Sequence, residues 1–151
     1  MNSHRVTVID GPLPNPMPSP AETEPQFTTP PEHQSVLREL LEREPIFHRP
    51  EFGITRQDFK KMTAPEFWET TASGRRLSRE FILDVLEKRY ENPTRDTWEM
   101  RDFSCMQIAP DNFLATYTLA QGDRLSRRAT IWRRTAVGWH IVYHQGTLIV
   151  S

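Results

Sequence analysis

The stretch that decides the fold is RLSRRATIWRRTAVGWHIVYHQGTLI, residues 124–149. Two runs rich in aromatic and β-branched residues, 124–135 and 139–149, flank the short turn sequence TAVG. This pattern predicts a β-hairpin. The second run ends in His144, Gln145, Gly146 and Thr147, which is an unusually polar end for an apolar strand.

Two similar runs precede the hairpin, at residues 97–108 and 112–121, and turn sequences containing Pro, Asp, Asn or Gly separate the runs. Four successive hairpin-linked strands predict one antiparallel sheet. Helical patterns come earlier in the chain, so the fold class is α+β, with three N-terminal helices laid over one face of a curved sheet. The segment EFWETT (66–71) predicts an extra edge strand.

Three helix starts are written in the sequence. Thr29, Thr55 and Ser78 are each placed to cap a helix, and an acidic residue follows Thr29 and Thr55 three positions later. In the last helix the predicted buried stripe contains Phe81, Ile82, Val85, Leu86 and Tyr90, and the helix should stop at Asn92 and Pro93.

Composition separates a tail from one domain. Prolines recur through residues 11–31, so residues 1–31 predict a disordered Pro-rich tail and residues 32–151 a single domain. The net charge of -1 gives no reason to expect nucleic acid or membrane as a partner. A single cysteine, Cys105, and the lack of an apolar leader or span indicate a cytoplasmic protein.

Several segments resemble the nuclear transport factor 2-like superfamily: APEFWETTASGR (64–75), RRATIWRR (127–134) and GWHIVYHQGT (138–147). Within it, the chain is similar to a bacterial group of unknown function, marked by the SGR and HQGT motifs and related to SnoaL-like cyclases and ketosteroid isomerases. Where that group commonly has two serines, this chain has Ala129 and Thr130. The resemblance implies a cystatin-like cone with an internal pocket and often a homodimer. It implies no activity, because enzymes, binding proteins and assembly subunits share the scaffold.

Register suggests which side chains line the pocket. A three-residue loop ending at Gly138 would place Arg128, Thr130, Trp132, Val142 and His144 on one mixed face, as in a ligand-binding wall. The other, more apolar face would then carry a second set of side chains: Ala129, Ile131, Trp139, Ile141 and Tyr143. A two-residue Ala136-Val137 loop fits less well, because neither residue favours a positive φ.

His144 and Glu69 are the candidate catalytic residues, because an imidazole and a carboxylate can exchange protons in a pocket. A structural role for each, as a satisfied polar residue or an ion pair with Arg75 or Arg128, is the competing interpretation. Alternation in FWETT puts Phe67, Glu69 and Thr71 on one side of the strand. Trp68, next to Glu69, joins Arg128, Thr130 and Trp132 as a candidate ligand contact. No spacing predicts a metal site or a cofactor motif.

Three functional hypotheses follow. The favoured one is a domain that binds a small apolar or aromatic molecule without turnover. The second is a cofactor-free isomerase, cyclase or dehydratase that uses His144 as its acid or base. The third is a non-catalytic assembly subunit. Strands that are half-apolar on both sides also predict a homodimer formed through the sheet.

Overall fold

The computed structural model describes residues 11–91 and 97–150. Its α-helices are α1 (Pro20–Thr23), α2 (Gln34–Arg43), α3 (Arg56–Met62) and α4 (Arg79–Glu91). Three 3-10 helices span Pro31–His33, Ile46–His48 and Pro50–Phe52. The strands are β1 (Thr63–Thr70), β2 (Arg76–Ser78), β3 (Glu99–Ala109), β4 (Asn112–Gln121), β5 (Arg124–Thr135) and β6 (Gly138–Leu148). None of the described helices is long and apolar enough to cross a membrane.

Capping explains where two helices begin. The Asp58 carboxylate accepts the Thr55 N–H at 3.1 Å and the Thr55 hydroxyl accepts the Asp58 N–H at 3.2 Å, which confirms the predicted capping box of α3. At α4 the Ser78 hydroxyl accepts the Phe81 N–H at 3.2 Å, as predicted. Thr29 does not cap: its hydroxyl accepts the Cys105 N–H of β3 at 3.0 Å, because the chain passes the sheet edge there.

The buried face of α4 differs from the predicted stripe. Phe81 is 51 % exposed and Val85 39 % exposed, whereas Leu83 is fully buried beside Ile82 and Leu86. The helix packs on α3 and β1, so its inward face is rotated by about one position from the prediction. The predicted stop at Asn92 and Pro93 lies outside the described residues.

The six strands form one sheet in the order β2-β1-β6-β5-β4-β3. Strands β3 to β6 make the predicted antiparallel meander. The prediction that the segment EFWETT (66–71) forms an edge strand is wrong. Strand β1 pairs with β6 in parallel and with β2 in antiparallel orientation, so β2 is the edge. The α+β fold with helices on one face of a curved sheet is therefore confirmed, with one parallel pair in the sheet.

The β5–β6 hairpin corrects the predicted register. Thr135 pairs with Gly138, so the loop is Ala136-Val137, and Gly138 absorbs the unusual backbone at a φ of +129°. Neither loop residue adopts a positive φ, which removes the objection to a two-residue loop. Trp132 consequently pairs with Ile141, not with Val142.

A bulge at Val142 then restores the predicted pairing of Thr130 with His144. The extra residue reverses the alternation of side chains along β6. Trp139 and Ile141 therefore lie with Trp132 in the core under the helices, on the face opposite to the one predicted. Tyr143 remains on the outer face, where its ring contacts Trp68 at 4.7 Å between centroids.

Part of the Pro-rich segment lies against the domain. The Glu24 carboxylate pairs with Arg127 on the outer face at 3.3 Å, and Phe27 covers a shallow depression beside it. Both contacts are solvent-exposed, with Phe27 at 43 %. The predicted boundary at residue 31 stays a prediction.

Candidate functional site

A cavity of about 410 Å³ lies between α4 and the concave face of the sheet. Its apolar lining comes from α4, the 3-10 helix at Ile46–His48 and the sheet, and includes Ile46, Phe47, Leu77, Ile82, Leu86 and Ile141. Its polar lining comes from four strands and from the residue that follows α2, and includes Glu44, Glu69, Tyr117, Arg124, Arg128 and His144. Hydrophobic walls with a few convergent polar groups are typical of small-molecule sites.

Glu44 is the most buried charged residue of this site, at 2 % exposure. Its two carboxylate oxygens accept the Tyr117 hydroxyl at 2.7 Å and the Trp132 indole N–H at 2.8 Å. Burial raises the pKa of the Glu44 carboxyl, while hydrogen bonds from Thr130, Tyr117 and Trp132 oppose the rise. Sequence reasoning missed Glu44, although it follows Leu40 by four positions and thus continues the apolar stripe of α2 one residue past the end of the helix.

His144 is held between two fixed partners. Its Nδ1 lies 2.8 Å from the Thr130 hydroxyl and its Nε2 lies 3.3 Å from Nη1 of Arg128. A guanidinium can only donate, so Nε2 is an acceptor without a proton, and the neutral ring carries its proton on Nδ1 and donates to Thr130. Burial and then the charges of Arg128 and His48 lower the pKa of His144 to about 3. The imidazole is therefore neutral at physiological pH and a weak base.

Arg128 is a partly buried cation of the cavity. Its Nε donates to the Ser126 hydroxyl at 2.8 Å, and its Nη1 donates to His144. Burial lowers the pKa of the guanidinium, and among the described residues it makes no direct ion pair with a carboxylate. The guanidinium lies over Gly146, where an added Cβ would be 2.9 Å from Nη1. The glycine of HQGT thus makes room for the arginine.

Glu69 reaches the same cavity from the end of β1, opposite His144 in the parallel pair. Phe67 is buried and Thr71 lines the cavity, so the predicted side of the strand is confirmed. Burial raises the pKa of the Glu69 carboxyl, and the charges of Arg128 and Arg89 oppose the rise. Within residues 11–91 and 97–150 no side chain donates a hydrogen bond to this carboxylate, in contrast to Glu44.

The two tryptophans predicted to contact a ligand lie elsewhere. Trp132 is fully buried beneath the cavity, where it orients Glu44 rather than lining the space. Trp68 is 42 % exposed on the outer face of the sheet, because neighbours along a strand point to opposite sides. Of the six predicted site residues, Arg128, His144 and Glu69 line the cavity, and Thr130 joins them through its hydrogen bond.

No cluster of three or more His, Cys, Asp or Glu side chains that could hold a metal ion occurs in the described part of the chain. Cys105 is buried at 3 % exposure, and burial raises the pKa of its thiol, so it is a poor nucleophile.

Comparisons with known proteins give a fold. No family model matches the chain, and no curated protein matches it. A cystatin-like protein from Caulobacter vibrioides superposes with a TM-score of 0.59 at 15% identity, over 79% of this chain and 91% of the other. A Parabacteroides distasonis protein, provisionally a ketosteroid isomerase, gives 0.58 at 12% identity over 83% and 97%.

A third solved structure, from Streptomyces avermitilis, is a provisional dehydratase of the nuclear transport factor 2-like family. It gives a TM-score of 0.60 at 14% identity, and it covers 78% of this chain and 98% of the other. At such low identity the likeness carries the fold and nothing finer. The chain has the cystatin-like, nuclear transport factor 2-like fold.

Proposed function

We propose that the domain binds a small, largely apolar organic molecule in the cavity under α4 and does so without chemical turnover. The observation that carries this proposal is the cavity itself: about 410 Å³, apolar on the helix side and polar where Arg128, His144 and Glu69 converge. We also propose that the chain is related to the bacterial group of unknown function marked by the SGR and HQGT motifs.

The absence of turnover is supported by the hydrogen bonds of the site. Both His144 nitrogens have partners, and both Glu44 oxygens accept from buried donors. A general base needs a lone pair that faces its substrate. Engaged groups of this kind hold a binding wall in place more readily than they exchange protons with a ligand.

One observation favours the enzymatic alternative, a cofactor-free isomerase or dehydratase. The Glu69 carboxylate lies in the cavity without a hydrogen-bond donor from the described residues, and its pKa is raised by burial. A carboxyl group with these properties suits proton transfer. Glu69 is then a better candidate for the acid or base than His144, whose catalytic role stays a prediction.

The test fills the cavity from its rim. Val85→Trp adds a large ring at a half-exposed position that lines the cavity, and Lys88→Trp adds the same ring to an exposed position of α4 away from it. Ligand-observed NMR with a fragment panel should detect binding to wild type and to Lys88→Trp, and weaker binding to Val85→Trp. A panel with no binder, or binders that ignore Val85→Trp, would refute the proposal.

We also propose a homodimer formed through the outer face of the sheet. Paired residues of five strands form one apolar row there: Met106, Leu114, Ile131, Tyr143 and Trp68. Met106 and Trp68 are exposed, at 54 % and 42 %. An apolar row across a sheet face with polar flanks is a common dimer contact.

A further inference from the structure

The charges of the cavity do not balance. Three arginines line it, Arg89, Arg124 and Arg128, against two carboxylates, Glu44 and Glu69. One positive charge is left over even when both carboxylates are ionised. Arg89 and Arg124 are exposed, whereas Arg128 is partly buried. Because a partly desolvated charge is stabilised by a nearby opposite charge, Arg128 is the cation that favours an anionic ligand.

Arg128 is the deepest of these cations, and its donors are not exhausted. Its side-chain partners, Ser126 and His144, take one hydrogen from Nε and one from Nη1. A guanidinium carries five N–H groups, so Nη2 and one hydrogen of Nη1 have no acceptor among the described side chains. Both partners of Arg128 are neutral groups, and neither supplies a counter-charge.

We propose that the ligand is an apolar molecule with one carboxylate, and that the Arg128 guanidinium binds this carboxylate; the inference rests on the proposed binding function. A guanidinium fork matches a carboxylate with two parallel hydrogen bonds. The apolar remainder lies against Ile82 and Leu86 of α4.

A monoanion fits this site better than a phosphate. Glu69 lines the same cavity, and its carboxylate repels a second negative charge close to Arg128. The apolar wall rewards a hydrocarbon body, which inorganic phosphate lacks.

Gly146 holds the guanidinium in its place. A side chain at this position would come within 2.9 Å of Nη1 and 3.0 Å of Cζ, so Gly146→Ala displaces the flexible end of Arg128 without removing its charge. Gly146 therefore acts as a positioning residue for the carboxylate. The Gly146→Ala variant tests the position of the guanidinium separately from its charge.

The test is calorimetry with four probes of one skeleton: phenylacetate, phenylacetamide, phenylethanol and phenethylamine. Wild type should bind the acid at least about tenfold more tightly than the neutral probes and the amine least tightly, as expected for a charge-assisted contact. Arg128→Gln should remove this preference. The control Arg127→Gln, on the outer face of the same strand, should keep it.

Two further variants keep the test decisive should Arg128→Gln fold poorly. Glu69→Gln removes the repelling carboxylate and should tighten acid binding by about threefold. Gly146→Ala should weaken acid binding about tenfold and spare phenylethanol. Equal affinities for acid and alcohol, or a preference that survives both Arg128→Gln and Gly146→Ala, would overturn the inference yet leave the binding function intact.

Phenylacetate and inorganic phosphate are compared in the same cell, and tighter binding of phosphate would also overturn the inference. The two proposals fail in different ways. If none of the four probes binds and only uncharged fragments of the NMR panel bind, the carboxylate assignment is wrong. If nothing binds in either experiment, the binding function itself is wrong.

Discussion

The half-buried imidazole of His144 predicts an unusual pH dependence of stability. In the folded protein the pKa of His144 is lowered to about 3, first by burial and then by the charges of Arg128 and His48. In the unfolded chain the same ring has a pKa of about 6.5. Between these two values the unfolded state binds a proton that the folded state refuses, so acid favours unfolding.

The magnitude follows from the two pKa values. A pH of 5 is about 1.5 units below the pKa of the unfolded ring, and each unit is worth about 1.36 kcal/mol. His144 therefore lowers the free energy of unfolding by about 2 kcal/mol at pH 5 relative to pH 7. Glu44 and Glu69 also face this region, and their raised pKa values act with the opposite sign, since a folded state that holds a proton more tightly gains from acid. Arg128 stays charged throughout.

The assay is urea unfolding at pH 7 and pH 5 for wild type and His144→Asn. The carboxyl contributions are common to both proteins, so the difference between their pH slopes isolates the imidazole. We expect wild type to lose about 2 kcal/mol more than His144→Asn over this range. His140→Asn, on the same strand, is the matched control. Parallel pH dependences, or an NMR titration of His144 with a midpoint at about pH 6.5, would refute the reasoning.

Three further predictions concern the core, the N-terminal segment and the oligomeric state. Trp139→Ala should cost about 3 to 5 kcal/mol in urea unfolding, because Trp139 is 8 % exposed in the core, and a nearly neutral result would contradict its place there. Deleting residues 2–28 should leave the thermal midpoint nearly unchanged, because the contacts of Glu24 and Phe27 with the domain are solvent-exposed, and a fall of many degrees would show that these contacts stabilise the domain. In light scattering, wild type at tens of micromolar and His144→Ala should both be dimers, whereas Trp68→Glu should be monomeric; a monomeric wild type refutes the dimer.

Local sequence signals predicted the four C-terminal strands and two helix caps well, because turns and capping boxes involve residues close in the chain. The parallel pairing of β1 with β6 could not be predicted in this way, since it joins residues about 75 positions apart, such as Glu69 and His144, that carry no shared signal. The same limit hid the contact of Thr29 with Cys105.

One extra residue in β6 made the prediction of which side chains share a face wrong. Trp139, Ile141 and Tyr143 alternate perfectly, which predicts a common face, yet the bulge at Val142 sends Tyr143 to the opposite side. Valine is common in regular strands, so the identity of Val142 does not predict that it is the extra residue of a bulge. By contrast, Glu44 could have been found: a carboxylate at the apolar position four residues after Leu40 requires buried donors, and Tyr117 and Trp132 supply them.

The hydrogen bonds from Arg128 through His144 to Thr130 indicate that ligand binding and proton transfer would depend on different residues of the cavity. Each group in the chain donates to the next, so adding a proton to His144 would set two donors, Arg128 Nη1 and a protonated Nε2, against each other. The imidazole therefore serves as a neutral acceptor that orients the guanidinium. A reaction in this cavity would depend on Glu69, whose carboxylate can change charge, whereas ligand binding depends on Arg128. Glu69→Gln distinguishes the two functions, because it should abolish proton transfer and yet strengthen the binding of a carboxylate.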